Sequence, residues 1–399
     1  MPKTAPYGSW KSPISSDLIV AQSIALSEVR LDGRAIYWLE GRPQEQGRFV
    51  VVRASGRAID MTPKPYSART RVHEYGGGSW TVSDGVVYFS NFVDGRLYAK
   101  KDDHARPRPL TPAPTTRERQ WRFADGLIDR ARNRWIGVRE DHTGDGEPVN
   151  TIVEVDLARP GREPGRVLVG GHDFFCAPRL SPDGKSLVWL AWDHPNMPWN
   201  GTTLYMAELD GKGPVGEPRV VAGGAAESIF QPEWSPDGRA LVFVSDRSNW
   251  WSLYWYDVAT RTTEPLTSME AEFGVPMWSL AASTYAFAGA KRIVCAYTKG
   301  GRGHLATLDI TTKLLRPIEL PFSEFGSVRA AGNRVAFRAA APNLPSSIVA
   351  LDLNSGAHRV LKKSTDILDQ SDLGISGYIT TVKPVEFPTS GGKTAFGLF

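Results

Sequence analysis

The string Ser-Pro-Asp-Gly occurs twice, at 181–184 and 235–238, and both times it opens the same series of events. It is a turn with a mechanism. Proline presets φ at the second position, aspartate bonds its own backbone, and glycine takes the left-handed slot. The two units begin RLSPDGKSLVWLAW (179–192) and EWSPDGRALVFVSD (233–246). In each, an alternating apolar strand follows the turn. A polar loop leads to a second strand near an acid, TLYMAELD (203–210) or SLYWYDV (252–258). A short third strand closes the unit, RVVAG (219–223) or TEPLT (263–267). Weaker copies start at RLDGRAIYWLE (30–40), VSDGVVYFSN (82–91), ARNRWIGVRED (131–141), STYAFAGAKRIVCAYT (283–298) and AGNRVAFRAA (331–340).

That makes seven units of about 40–55 residues, a period that specifies a propeller with about four strands per blade. A blade cannot bury both faces alone, so blades must stack around an axis. The expected fold is therefore all-β, a seven-bladed β-propeller over 24–364. A pair of β-sandwiches is the rival arrangement, and the repeat argues against it. Composition agrees: 13 Trp, 12 Tyr and 16 Phe alternate with turn-forming residues, 39 Gly and 29 Pro.

Charge excludes some functions. With 47 basic and 43 acidic residues, the net charge of +4 provides no basic stripe for nucleic acid. The start, MPKTAPYGSWKSP, lacks the apolar core of a signal peptide. No apolar run reaches the roughly 18 residues of a membrane span. A soluble, cytoplasmic protein is expected. Cys176 and Cys295 lie in strand-like runs and read as buried free thiols.

The ends differ from the middle. Residues 1–23 form a separate N-terminal segment, in which Ser15-Ser16-Asp17 precedes a short helix or an entry strand. Residues 365–399 form a linker followed by VEFPTSGGKTAFGLF (385–399), which reads as a β-hairpin. A lone hairpin is marginal in water. Phe387, Phe396, Leu398 and Phe399 are left with an unpaired edge, so disorder after about residue 380 or self-association through this tail is expected.

The chemistry-bearing motifs are sparse. Neither YGGGSW (75–80) nor GISGY (374–378) matches the G-x-S-x-G nucleophile turn, which makes Ser79 and Ser376 poor nucleophiles. No P-loop, dinucleotide fingerprint or zinc spacing is present, so no cofactor and no metal is expected. DHTGDGEP (141–148) begins like a calcium loop, but Ile152 stands where a bidentate Glu is required, which favours a solvated inter-strand loop. RVHEYGGGSW (71–80) is denser. Three glycines in a row suit a sharp turn or a close approach, and His73, Glu74 and Tyr75 stand beside them. It is either a blade-entry turn or a loop at the mouth of a central cavity. WDHPNMPWNGT (192–202), with His194 and Trp199, either packs on a neighbouring domain or lines a cavity. Glu227 precedes the fifth unit, and Asp246, Arg247, Trp250 and Trp251 form its matching loop.

YGSWKSPI (7–14), RVHEYGGGSW (71–80), SPDGKSLVWLAWDHPNMPWNGTTLY (181–205) and ESIFQPEWSPDGRALVFVSDRSNWWSLY (227–254) together resemble the prolyl oligopeptidase family of serine peptidases. The branch is that of the acylaminoacyl-peptidases and dipeptidyl-aminopeptidases, and the resemblance covers essentially the whole chain. It implies a propeller followed by an α/β-hydrolase domain carrying Ser, Asp and His. The propeller covers the active site and admits short peptides. Segment 1–23 would pack on the hydrolase domain, and hairpin 385–399 would be its first strands.

The nucleophile, acid and histidine have no counterpart here, so the catalytic domain is missing or on another chain and no catalytic residue can be assigned. A fragment, a shortened gene product and a split enzyme all fit. The resemblance makes Glu74, Tyr75, His194, Trp199, Glu227 and Arg247 the candidate substrate-binding residues. An acid among them would hold a peptide amino group, and Arg247 a carboxylate. The competing functions are a non-catalytic propeller scaffold binding peptides or proteins, and a propeller glycosidase, which needs a facing carboxylate pair.

Overall fold

The computed structural model describes residues 4–399 except positions 11, 13, 21–22, 117, 210–214, 368–378 and 381. Ser376 and most of the predicted linker therefore lie outside the described residues. Seven four-stranded antiparallel sheets follow one another along the chain, each made of four consecutive strands. Their outer limits are 25–60, 80–109, 121–169, 174–223, 229–265, 285–318 and 324–363, here blades one to seven. The fold is the seven-bladed propeller that the repeat requires.

The Ser-Pro-Asp-Gly turns behave as their chemistry dictates. Ser181 donates to Asp183 Oδ1 at 2.6 Å and its Oγ accepts the Ser186 N–H at 2.9 Å. Ser235 repeats both bonds with Asp237 at 2.7 Å and Ala240 at 3.0 Å. Gly184 and Gly238 take φ of 73° and 71°. Each turn thus joins the innermost strand of its blade to the next one outward. Between blades the sheets bury apolar side chains against each other. Trp189 and Leu190 of blade four pack in one cluster with Ile136 of blade three and Phe243 of blade five.

Among the described residues, no strand is shared between the two ends of the chain. The ring closes by packing of Leu26, Trp38 and Val50 of blade one on Ala336 and Ile348 of blade seven. Arg334 adds hydrogen bonds to the carbonyls of Gly33 at 2.9 Å and Arg34 at 2.6 Å. Outside the ring, Ser16–Val20 is a short helix whose Leu18 N–H is capped by Ser15 Oγ at 3.1 Å. Pro384–Pro388 and Thr394–Leu398 form a hairpin, with Phe387 and Phe396 paired to its opposite strand and exposed. The 141–148 string is a hairpin loop in blade three, where Asp141 accepts from Thr143 and Asp145 pairs with Arg119.

Candidate functional site

The innermost strands surround the axis, and five of them break register in the same place. The pairing shifts at Ser27–Arg30, beside Gly126, and at Cys176–Arg179, Phe230–Glu233 and Gly326–Arg329. One residue of each bulge adopts left-handed φ: Glu28 at 47°, Asp125 at 50°, Ala177 at 49°, Gln231 at 48° and Ser327 at 52°. Gly78 of blade two takes the equivalent conformation at 59°. An extra residue of this kind re-aims the side chain from the sheet face.

The re-aimed groups bond from blade to blade. Glu28 Oε1 accepts the Gly78 N–H at 3.1 Å, and the Gly78 carbonyl accepts the Asp125 N–H at 2.7 Å. Asp125 Oδ2 accepts the Ala177 N–H at 2.6 Å, and Gln231 Oε1 accepts the Thr284 N–H at 2.8 Å. The Ser283 carbonyl accepts the Val328 N–H at 3.1 Å. These bonds form a belt in two arcs around the axis, one joining blades one to four and the other blades five to seven.

Above the belt lies a strap. The segment between blades five and six reaches the glycine loop of blade two, where Leu280 donates to the Gly76 carbonyl at 2.8 Å and pairs with Gly77 in a parallel bridge. The three glycines each meet a different demand. A Cβ on Gly76 would collide with the Thr70 carbonyl, one on Gly77 would sit 2.6 Å from Leu280 N, and one on Gly78 would sit 2.8 Å from Asp125 N. A cavity of about 390 Å³ lies between strap and belt, lined by Glu28, Thr70, Tyr75, Ser283, Phe325 and Ser327 among others.

The candidate residues fall into four separate groups. Tyr75 and Trp199 come together through Trp278 of the strap: ring centroids are 5.3 Å and 4.4 Å from it. Tyr75 is 64% exposed and Trp278 54%, so three loops present an open aromatic surface at the mouth. Glu74 points outward, 3.6 Å from Arg122. Its neighbour His73 is half-buried edge-on against Phe174 and Trp192, and desolvation there pushes its pKa down to about 4. His194 is exposed, with Nδ1 3.0 Å from Asp173 and its ring against Phe174.

Glu227 and Arg247 are bonded to each other. Glu227 Oε1 accepts Arg247 Nε at 2.8 Å and Ser245 Oγ at 2.6 Å, while the guanidinium lies over the Tyr254 ring. Each is therefore the other's counter-charge in the unliganded molecule.

Ser79 is buried and donates to the Ala68 carbonyl at 2.9 Å. No serine hydroxyl among the described residues is hydrogen-bonded to a histidine, and neither a Ser–His–Asp triad nor an α/β-hydrolase domain occurs among them. No group of three or more metal-ligating side chains occurs among the described residues, and no described helix is long and apolar enough to cross a membrane. Both cysteines are free and buried.

Sequence reasoning missed Trp278, Leu280 and the belt. Trp278 had a usable signal, an exposed-type aromatic in a long inter-blade segment. The belt residues share no residue type, so they had none.

No family model and no curated relative matches the chain. Solved structures do. A puromycin-hydrolyzing peptidase of Mycobacterium tuberculosis is 32% identical with a TM-score of 0.89, covering 99% of this chain. A puromycin hydrolase solved in complex with PGG is 33% identical with a TM-score of 0.90, covering 98%. This chain spans 61% of the length of each. Prolyl oligopeptidase B from Galerina marginata shares the fold at 11% identity and a TM-score of 0.67.

Proposed function

We propose, on the premise that this chain forms the N-terminal β-propeller portion of a prolyl-oligopeptidase-family serine peptidase, that it gates and positions short peptides or aminoacyl amides for a hydrolase portion that supplies serine, histidine and aspartate. The observation that carries this reading is the match along almost the entire chain to two puromycin-cleaving enzymes at 32% and 33% identity. In this reading the strap and aromatic surface face the reacting centre. Tyr75, Trp199 and Trp278 bound the substrate's side chains, and Glu74 or Glu227 receives its amino group. Attack and oxyanion stabilisation belong to the hydrolase portion, so this chain alone is inactive.

The same proposal divides the chain at 1–23, 24–364 and 365–399 and places it in the cytoplasm, where two unpaired thiols are at home. The apolar hairpin 384–398 then joins the hydrolase sheet, or a second copy when that sheet is missing. Joining the hydrolase portion of the Mycobacterium tuberculosis relative after residue 399 tests the assignment. Hydrolysis of an aminoacyl naphthylamide by the joined protein, and none by either part alone, is expected. A joined, folded protein with no hydrolysis would contradict it.

A further inference from the structure

Two residues beyond the belt, the equivalent positions of the innermost strands carry four charged side chains, Arg30, Arg179, Glu233 and Arg329, while Trp80 and Tyr285 at the matching positions pack into the cores between blades. Arg179 is accounted for. It lies 3.6 Å from Asp125 and 3.4 Å from Glu233, bracing blades three, four and five. The other two arginines are not. Among the described residues, neither Arg30 nor Arg329 has a carboxylate oxygen within 4.0 Å. Arg329 donates only to the neighbouring Val328 carbonyl, at 3.2 Å. Arg30 lies over the Trp80 ring, 5.4 Å from its centroid, and its enclosed Nε donates to nothing.

The two arginines sit on adjacent blades, seven and one. Each opposes the other's charge, and burial with Arg30 nearby pulls Arg329 down to about 10. Three acids, Glu28, Asp125 and Glu233, act on them from beyond that distance, and Asp125 and Glu233 are already paired with Arg179. Glu28 does not make up the balance. Its Oε1 is committed to Gly78, its Oε2 is enclosed without a hydrogen bond, and burial lifts its pKa to about 7. A buried guanidinium donor without an acceptor is costly, and paired guanidiniums match the geometry of an oxyanion. Both arginines keep partial contact with solvent.

We propose that Arg30 and Arg329 form a binding site on the propeller axis for one small oxyanion, a carboxylate or an inorganic phosphate, with Trp80 holding the Arg30 guanidinium in place. The site is distinct from the aromatic surface at the mouth and does not depend on the catalytic reading. A peptide's C-terminal carboxylate and free phosphate offer the same chemistry and differ in what else must fit.

Isothermal titration of the full 399-residue chain with inorganic phosphate, with triglycine and with triglycine amide tests this. Binding of phosphate or triglycine is expected, with no binding of the amide, and at least a tenfold rise in Kd in Arg30→Gln and in Arg329→Gln. Tighter binding of triglycine assigns the site to peptide carboxylates; tighter binding of phosphate assigns it to free anion. Should the Gln variants fail to fold, Arg30→Lys keeps the charge, loses the fork of donors, and is expected to weaken binding at least tenfold. Absence of binding by both anions, equal binding of triglycine and its amide without phosphate binding, or affinity unchanged in the variants would overturn the proposal.

Discussion

Gly77 and Leu280 meet as a parallel bridge between the glycine loop of blade two and the strap that enters blade six. The contact is backbone to backbone, and Leu280 is itself buried in the cluster shared by blades three to five. One short bridge thus ties the mouth of the ring to its apolar core.

Gly77→Ala is expected to destabilise the protein by about 2–4 kcal/mol, because the φ of 86° and the approach of Leu280 both exclude a Cβ. Gly332→Ala, with left-handed φ but open space around it, isolates the conformational part and should cost about 1–2 kcal/mol. Urea unfolding of the two variants checks the difference.

Glu227 and Arg247 are expected to be coupled. The pair is partly exposed, with side chains 23% and 34% accessible, so a double-mutant cycle with Glu227→Gln and Arg247→Gln should give about 0.5–1.5 kcal/mol. In the joined enzyme, Glu227→Gln should raise KM for substrates with a free amino group and leave N-acetylated ones unchanged. Equal effects on both would remove Glu227 from amine binding.

Stability should fall as pH rises from about 4.5 to about 7 by a contribution from Glu28. Burial raises its folded pKa to about 7, so the folded state holds a proton that the unfolded chain has already lost. The sign is that of a buried acid: stabilisation is complete at low pH and lost above the folded pKa, by about 3 kcal/mol. Arg30 and Arg329 oppose the shift and Asp125 adds to it. His73 acts the other way, since its pKa of about 4 makes protonation unfavourable below about pH 6.5. Denaturant unfolding against pH should show stability rising more steeply between pH 5 and 6.5 in Glu28→Gln than in the parent, where the two contributions offset each other.

The terminal hairpin exposes Phe387 at 47%, Phe396 at 77% and Phe399 at 86%. Deleting 382–399 is expected to convert a self-associating chain to monomer in light scattering, with the ring's melting temperature unchanged. An unchanged mass would remove the hairpin as the contact.

The sequence made the outer three strands of each blade readable and mostly hid the innermost one. Strands such as Ser186–Trp192 and Ala240–Ser245 follow a turn with fixed chemistry and are almost continuously apolar. The innermost strands interrupt their alternation with a bulge, which shifts every later side chain to the opposite face. None of the five bulges marks its left-handed residue with glycine; they use Glu28, Asp125, Ala177, Gln231 and Ser327, and Gly78, just before blade two, takes that conformation with no register shift beside it. The axis therefore carries charges such as Arg30 and Arg329 that local pattern assigns to solvent. The glycine loop was readable as a close approach, because few other demands keep three glycines together. Its partner Leu280 was not, since a contact between distant loops leaves no spacing to read. Glu227 and Arg247 were both legible as polar loop residues, but their pairing depends on how Ser245 and Tyr254 place them.

In the proposed enzyme this chain holds substrate for chemistry performed elsewhere. A fluorophosphonate probe, read by mass spectrometry on the chain alone and on the chain joined to a hydrolase portion, measures that directly. Labelling of a single serine in the added portion, with none on residues 1–399, is the expected result. A labelled serine within this chain would contradict it.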